Sequence, residues 1–191
     1  MKSGTRALGV AVSDGESTAT LAGAVVRADR VVDGLVYDSC TVGGTDATAA
    51  VETVLSTLAR EDLQYLLCAG IAPAWFNLFD LDAIHDAFGD PVVSVSFESS
   101  VGLEPALREQ FDDAALDRRL AVYERQPPRE RVTVGDDTVW VRAVGCDPDR
   151  AGEIVRAFTP DGSGRPEPLR VARLAARAGR RYRTESSASS E

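Results

Sequence analysis

Apolar positions in the first forty residues fall in three short β-like runs, the last of them alternating with a period of two. Residues Thr5–Val12 are apolar-rich and end at Asp14-Gly15. A second run, Thr18–Arg27, ends near Ala28-Asp29, and a third, Arg30–Tyr37, steps through Val31, Asp33, Leu35 and Tyr37. Such runs with brief, turn-rich connections predict three strands in an antiparallel meander. The period then lengthens. Over Thr45–Leu58, Ala50, Val54, Leu55 and Leu58 recur on one helical face, and Thr45 is placed to cap it. Two apolar strands follow, Tyr65–Ala69 and Val92–Phe97, with a helical Leu78–Phe88 between them. Strands alternating with helices imply crossovers and parallel neighbours.

Beyond residue 100 the pattern predicts a helix over Glu104–Leu120, an exposed connection over Gln126–Arg131 and a strand over Thr138–Val144. Asp149–Phe158 is a helix starting behind Asp147-Pro148, and Thr159–Gly164 is a loop. Pro168 fits the first turn of a last helix, where its missing N–H costs nothing. The Ser-rich Thr184–Glu191 reads as a disordered tail, so residues 1–183 are expected to form one domain. The order is that of a ribonuclease H-like α/β fold: a mixed sheet of three antiparallel strands, then parallel strands, flanked by helices.

Charge changes this picture. The chain has a net charge of −9, with Lys2 its only lysine against twenty arginines. Residues 1–164 carry fourteen bases and twenty-seven acids, whereas 165–183 carry seven arginines and one acid. That last stretch, RPEPLRVARLAARAGRR, has two readings. It is a terminal helix docked through Leu169, Val171 and Leu174, or a basic face for a phosphate backbone. An acidic, lysine-poor surface fits a salt-adapted cytoplasm, and arginine usage also follows GC-rich coding. No run of eighteen apolar residues exists and no signal-peptide core opens the chain, so a cytoplasmic location and no membrane partner are expected. Cys40, Cys68 and Cys146 are odd in number and far apart, and His85 is the sole histidine. That set excludes a disulfide framework, most zinc designs and cysteine–histidine catalysis.

Six segments together resemble the archaeal endonuclease dU family, related to endonuclease V. They are RALGV at 6–10, GTDAT at 44–48, AWFNLFDL at 74–81, VVSVSFESSVGLEPAL at 92–107, VRAVGCDPDRAGEIVRAFT at 141–159 and RPEPLRVARLAARA at 165–178. The resemblance implies a ribonuclease H-like fold and metal-dependent cleavage of nucleic acid near a deaminated base, DNA before RNA. Such chemistry uses two Mg²⁺ or Mn²⁺ ions about 4 Å apart, held by carboxylate oxygens.

The chain departs from the family where those carboxylates belong. An Asp-Asp-Gly closing the first strand reads Val12-Ser13-Asp14-Gly15; either one acid has become Ser13, or the register slips and the strand carries Ala11. Asp-Gly-Leu-Asp-Ala-Thr reads Gly43-Gly44-Thr45-Asp46-Ala47-Thr48, keeping one acid. Leu-Asp-Gly-Ile reads Cys68-Ala69-Gly70-Ile71, and Ala69 cannot coordinate a metal.

Asp14, Asp46 and Asp80 remain as candidate catalytic acids, and Asp14, Asp46 and Glu98 as candidate metal ligands. Each has a plainer reading. Asp14 makes a hairpin turn, Asp46 complements a helix dipole, Asp80 caps a helix and Glu98 is a solvated loop acid. Asn77, Trp75, Arg170, Arg173 and Arg177 are the candidate nucleic-acid contacts. The expected function is a metal-dependent endonuclease-like protein of DNA repair. The alternative is a binding or interaction protein on the same fold that has lost catalysis.

Overall fold

The computed structural model describes residues 1–188. Seven strands form one sheet in the order β3-β2-β1-β4-β5-β7-β6. β1 (Arg6–Ser13), β2 (Thr18–Arg27) and β3 (Val32–Thr41) are antiparallel neighbours. β4 (Leu63–Ala69) pairs parallel to β1, and β5 (Val92–Ser96) parallel to β4. The expected mixed order of a ribonuclease H-like sheet is therefore present. β1, β3, β4 and β5 all run one way, so their C-terminal ends lie along a single edge.

The sheet continues further than the apolar pattern indicates. β7 (Asp137–Val144) joins antiparallel to β5, and β6 (Glu130–Val134) closes a hairpin on β7 through Gly135-Asp136. The segment 126–131 is thus only partly a connection. β6 is an edge strand, so only Val132 and Val134 are buried and its charged alternate positions read as loop.

Helices cover both faces. α1 (Ala47–Leu58) and α3 (Leu81–Phe88) bury Val51, Val54, Leu81 and Ile84 against Leu8, Val10 and Leu66. α3 starts at Leu81, not Leu78, because Asp80 occupies the cap and accepts from Ala83 N at 3.3 Å. Leu78 and Phe79 are buried ahead of it. The expected helix over 104–120 is two, α4 (Glu104–Gln110) and α5 (Asp113–Arg125), parted at Phe111. Phe111 leaves the helix to join an aromatic cluster with Trp75 and Phe76.

The opposite face carries α6 (Pro148–Phe158) and α7 (Glu167–Ala188). α7 continues through residues expected to be a disordered tail; 189–191 lie outside the described residues. Its inner face is small: Ala172 lies over Ala11, Ala24 and Val26, and Ala175 and Ala176 over Ala22. Leu169 docks as expected, but Leu174 points outward and is 53% exposed. The close approach explains Gly9. A Cβ there would lie 2.2 Å from the carbonyl oxygen of Pro168.

Candidate functional site

The loops after β1, β3, β4 and β5 share one edge, the position where parallel strands offer backbone and side-chain groups to a ligand. At the sheet centre, Val10 pairs with Cys68. One residue further on are Ala11 and Ala69. Ala11 is 2% exposed and clusters with Ala24, Val26 and Ala172, and Ala69 and Val171 pack against that cluster. Val12 packs on the other face with the α1 side. The strand register thus places Ala11, not Val12, beside Ala69. Both of these adjacent strand ends present methyl groups.

Asp46 is the best-held acid on this edge. Its carboxylate accepts from Thr41 N at 3.0 and 3.1 Å, from Thr41 Oγ1 at 2.8 Å and from Asn77 Nδ2 at 2.6 Å. Burial raises the Asp46 pKa, but the bonds from Thr41 and Asn77 outweigh it and the carboxyl sits below its usual value. It occupies the cap position of α1 without bonding the helix itself. Asn77 is fully buried and its amide is spent internally. Nδ2 also donates to Thr41 O at 2.8 Å, and Oδ1 accepts from Ala47 N at 2.9 Å. Asn77 and Asp46 together stitch the β3–α1 loop to the β4–α3 loop, and no Asn77 amide atom faces solvent.

The other acids diverge. Asp14 is exposed in the β1–β2 turn. Asp80 caps α3 and pairs with Arg125 at 2.6 Å. Glu98 is exposed after β5. Among the described residues no group of three or more His, Cys, Asp or Glu side chains is placed to hold a metal ion. Mg²⁺ demands a near-octahedral oxygen set and gives up water reluctantly. Two alanines, one carboxylate saturated by protein donors and three dispersed acids do not fit that demand. Thiol chemistry has no better footing: burial pushes Cys40 and Cys68 up to about 12, with Asp46, Asp14 and Asp38 adding to the effect at Cys40.

Trp75 is presented on an unusual turn. α2 (Pro73–Phe76) is a single turn in which Ala74, Trp75 and Phe76 have φ of 46°, 52° and 62°. Three consecutive non-glycine residues in the left-handed region cost roughly 1–2 kcal/mol each. Arg119, 4% exposed, holds the turn. It donates to Phe76 O at 3.2 Å, Ala115 O at 2.9 Å and Gly44 O at 3.1 Å, and also to Gly43 O. Its guanidinium lies 3.8 Å over the Phe111 ring. Trp75 rests on Gly43, where a Cβ would meet the indole at 2.7 Å, and remains 50% exposed. Neither the turn nor the clamp carries a local sequence signal, because both depend on partners 43–76 residues away.

On α7, Arg170 is paired with Glu167 at 2.5 Å, while Arg173 and Arg177 are exposed and join no ion pair. Arg180 is partly buried, with Nε enclosed and without a partner. Of the three candidate contacts on α7, Arg173 and Arg177 are exposed without an ion pair among the described residues, and Arg170 is engaged by Glu167.

A further pocket of about 340 Å³ opens on the α1/α3 face of the same edge. Gly70 and Ile71 after β4, Ser94 and Ser96 on β5, Tyr123 on α5, and Trp140 and Arg142 on β7 line it, with Arg129.

Residues 3–179 match the family model described as endonuclease dU. The chain belongs to the endonuclease dU family. Among endonuclease dU relatives, a UPF0215 protein of Pyrobaculum calidifontis is 35% identical over 172 residues, covering 90% of this chain and 92% of that one. A solved protein of unknown function from Archaeoglobus fulgidus superposes with a TM-score of 0.77 at 25% identity, over 91% of this chain and 97% of the other. Endonuclease V of Ciona intestinalis, solved with a 24mer DNA containing an inosine, superposes with a TM-score of 0.63 over 93% and 87% of the two chains. At 11% identity that likeness establishes the shared fold. The endonuclease dU chain thus shares the fold of endonuclease V.

Proposed function

We propose that this chain binds nucleic acid carrying a deaminated base, DNA in preference to RNA, and that it does so without two-metal hydrolysis. The observation that carries the reading is the pair Ala11 and Ala69, packed with Ala172 and Val171 where the sheet centre would otherwise supply carboxylates. Family membership supports the substrate class. Trp75 offers a half-exposed indole face for stacking on an unpaired base, a contact worth about 1–3 kcal/mol. Arg173 and Arg177 offer forks for phosphates. Arg170 adds a third contact only by loosening from Glu167. Asn77 positions the Trp75 turn instead of touching the strand. The acid-rich, arginine-for-lysine surface supports a salt-adapted cytoplasm as the setting of this activity.

A cleaving enzyme is the second reading, and the family favours it. It would have to draw Asp14, Asp46 and Asp80 or Glu98 to Mg²⁺ or Mn²⁺ by moving the loops that hold them. One experiment separates the readings. Labelled strands containing deoxyuridine, hypoxanthine or only normal bases are titrated with the protein at several salt concentrations, then incubated with Mg²⁺ and with Mn²⁺. Preferential binding without metal-stimulated cleavage supports the first reading. Metal-stimulated cutting that disappears in Asp46→Ala supports the second.

A further inference from the structure

Arg129 and Arg142 are the least explained cations in the molecule. Acids outnumber bases thirty to twenty-one in the chain, and among the described residues seven of its other arginines join ion pairs, five with a single acid and Arg6 and Arg60 with both Asp33 and Asp62. Arg129 and Arg142 join none among the described residues, although both line the 340 Å³ pocket at the ends of β4 and β5. Glu98, the only acid lining that pocket, meets Arg129 through its backbone carbonyl. The guanidiniums are held in place by other means. Arg129 donates to Ser96 Oγ at 3.0 Å and Ser100 O at 3.3 Å, and stacks 4.9 Å from the Trp140 ring centroid. Arg142 donates to Pro127 O and lies 5.6 Å from the Tyr123 centroid. Burial, and then the charge of Arg142, hold the Arg129 guanidinium below its ordinary value. The charge of Arg142 therefore acts on Arg129, and neither guanidinium meets a carboxylate among the described residues.

Two oriented, unneutralised guanidiniums beside serine hydroxyls suit a tetrahedral oxyanion, because the planar fork matches phosphate oxygens two at a time. A carboxylate-rich cation site is the opposite arrangement. We propose that this pocket is a phosphate subsite, in which Arg129 and Arg142 grip one phosphate group of a bound strand while Ser94 and Ser96 line its floor. The subsite lies on the α1/α3 face, whereas Ala11, Ala69 and the α7 arginines lie on the other. A strand held at both places would cross the edge of the sheet between them. The proposal rests on the nucleic-acid reading above.

Arg142 is the position to test, since it gives only one hydrogen bond to the protein. Arg142→Gln keeps part of the stem and one amide donor group but removes the charge and the fork. With a deoxyuridine-containing single strand, the variant should bind about tenfold more weakly, with its salt slope reduced by roughly 0.7, the value for one phosphate on a single strand. Its melting temperature should match the wild type. Arg142→Lys should restore the slope but only part of the affinity. Equal affinity and slope in Arg142→Gln and wild type would overturn the subsite while leaving strand binding in place. If the wild type binds no strand, the nucleic-acid reading fails, and a second measurement decides the subsite. Deoxyuridine monophosphate and inorganic phosphate should then raise the melting temperature of the wild type and not of Arg142→Gln, which identifies a free phosphate as the occupant. No shift with either would overturn it.

Discussion

Replacing Arg119 with methionine should release the Trp75 turn. Methionine keeps the aliphatic bulk over Phe111 but none of the donors. The substitution leaves the carbonyls of Phe76, Gly43 and Gly44 without their partner. A hydrogen bond to a charged group contributes about 1.5–3 kcal/mol, and a buried acceptor left alone costs about 1–3 kcal/mol. Against that loss stands the cost of burying a guanidinium that has no carboxylate; burial, followed by the charge of Arg118, already lowers its pKa. Relaxation of the left-handed turn recovers part of its strain, some 3–6 kcal/mol over three residues at the usual cost per residue. The net expected destabilisation is about 2–4 kcal/mol, or roughly 5–15 °C in melting temperature for a domain of this size. Urea unfolding measures the first quantity. The second readout is local: in a Trp140→Phe background, Trp75 emission should shift to the red and become more accessible to iodide. A loss below about 0.5 kcal/mol with unchanged Trp75 emission would refute the clamp.

Gly43→Ala should produce a related defect, since the position has φ of 70° and the new methyl meets the indole; lower melting temperature together with altered Trp75 emission is the expected result. Replacing Arg173 and Arg177 with lysine should weaken strand binding more at high salt than at low salt, because charge is kept and the fork is lost; equal losses would mean diffuse charge alone. Acid should destabilise the protein in a defined window. Arg60 holds the Asp62 carboxyl down to about 2, and Arg6 lowers that of Asp33. Depressed carboxyls contribute stability that is complete above their unfolded pKa, near 4, and lost as pH falls through the folded value. Melting temperature should therefore drop between about pH 4 and 2, and Arg60→Gln should flatten that drop. Asp46→Asn should lower stability, because the amide cannot accept all four bonds from Thr41 and Asn77; a variant as stable as wild type would show the stitch to be unimportant.

The backbone plan was largely legible. The hydrophobic pattern separated the β1–β3 meander from the alternating strands and helices because the central strands, buried on both faces, read as short continuous apolar runs, whereas the helices bury only one face. Strand β6 escaped notice because an edge strand with two buried valines leaves little apolar signal. The break between α4 and α5 escaped because Phe111 suits either a helix or a cluster, and its choice depends on Trp75 and Phe76 from another loop. The acid-poor sheet centre could be suspected from Ala69, but the place of Ala11 beside it needed the strand register. Asn77 looked available because Asn in a loop carries no mark of its partners. The Arg129–Arg142 pair joins residues from before β6 and on β7, and it exists only once those segments are folded against β5.

The tight seat of α7 leaves no room for an acid at position 11. Pro168 lies against Gly9 and Ala172 against Ala11, so the helix occupies the space a carboxylate at position 11 would need. An aspartate returned there would be shut from water, with its pKa driven upward, and a proton would hold the oxygens that a metal requires. A metal centre at these strand ends would call for a lifted helix as well as an acid, two changes of which neither suffices alone. Close packing thus keeps a carboxylate out of position 11 for as long as α7 holds its seat.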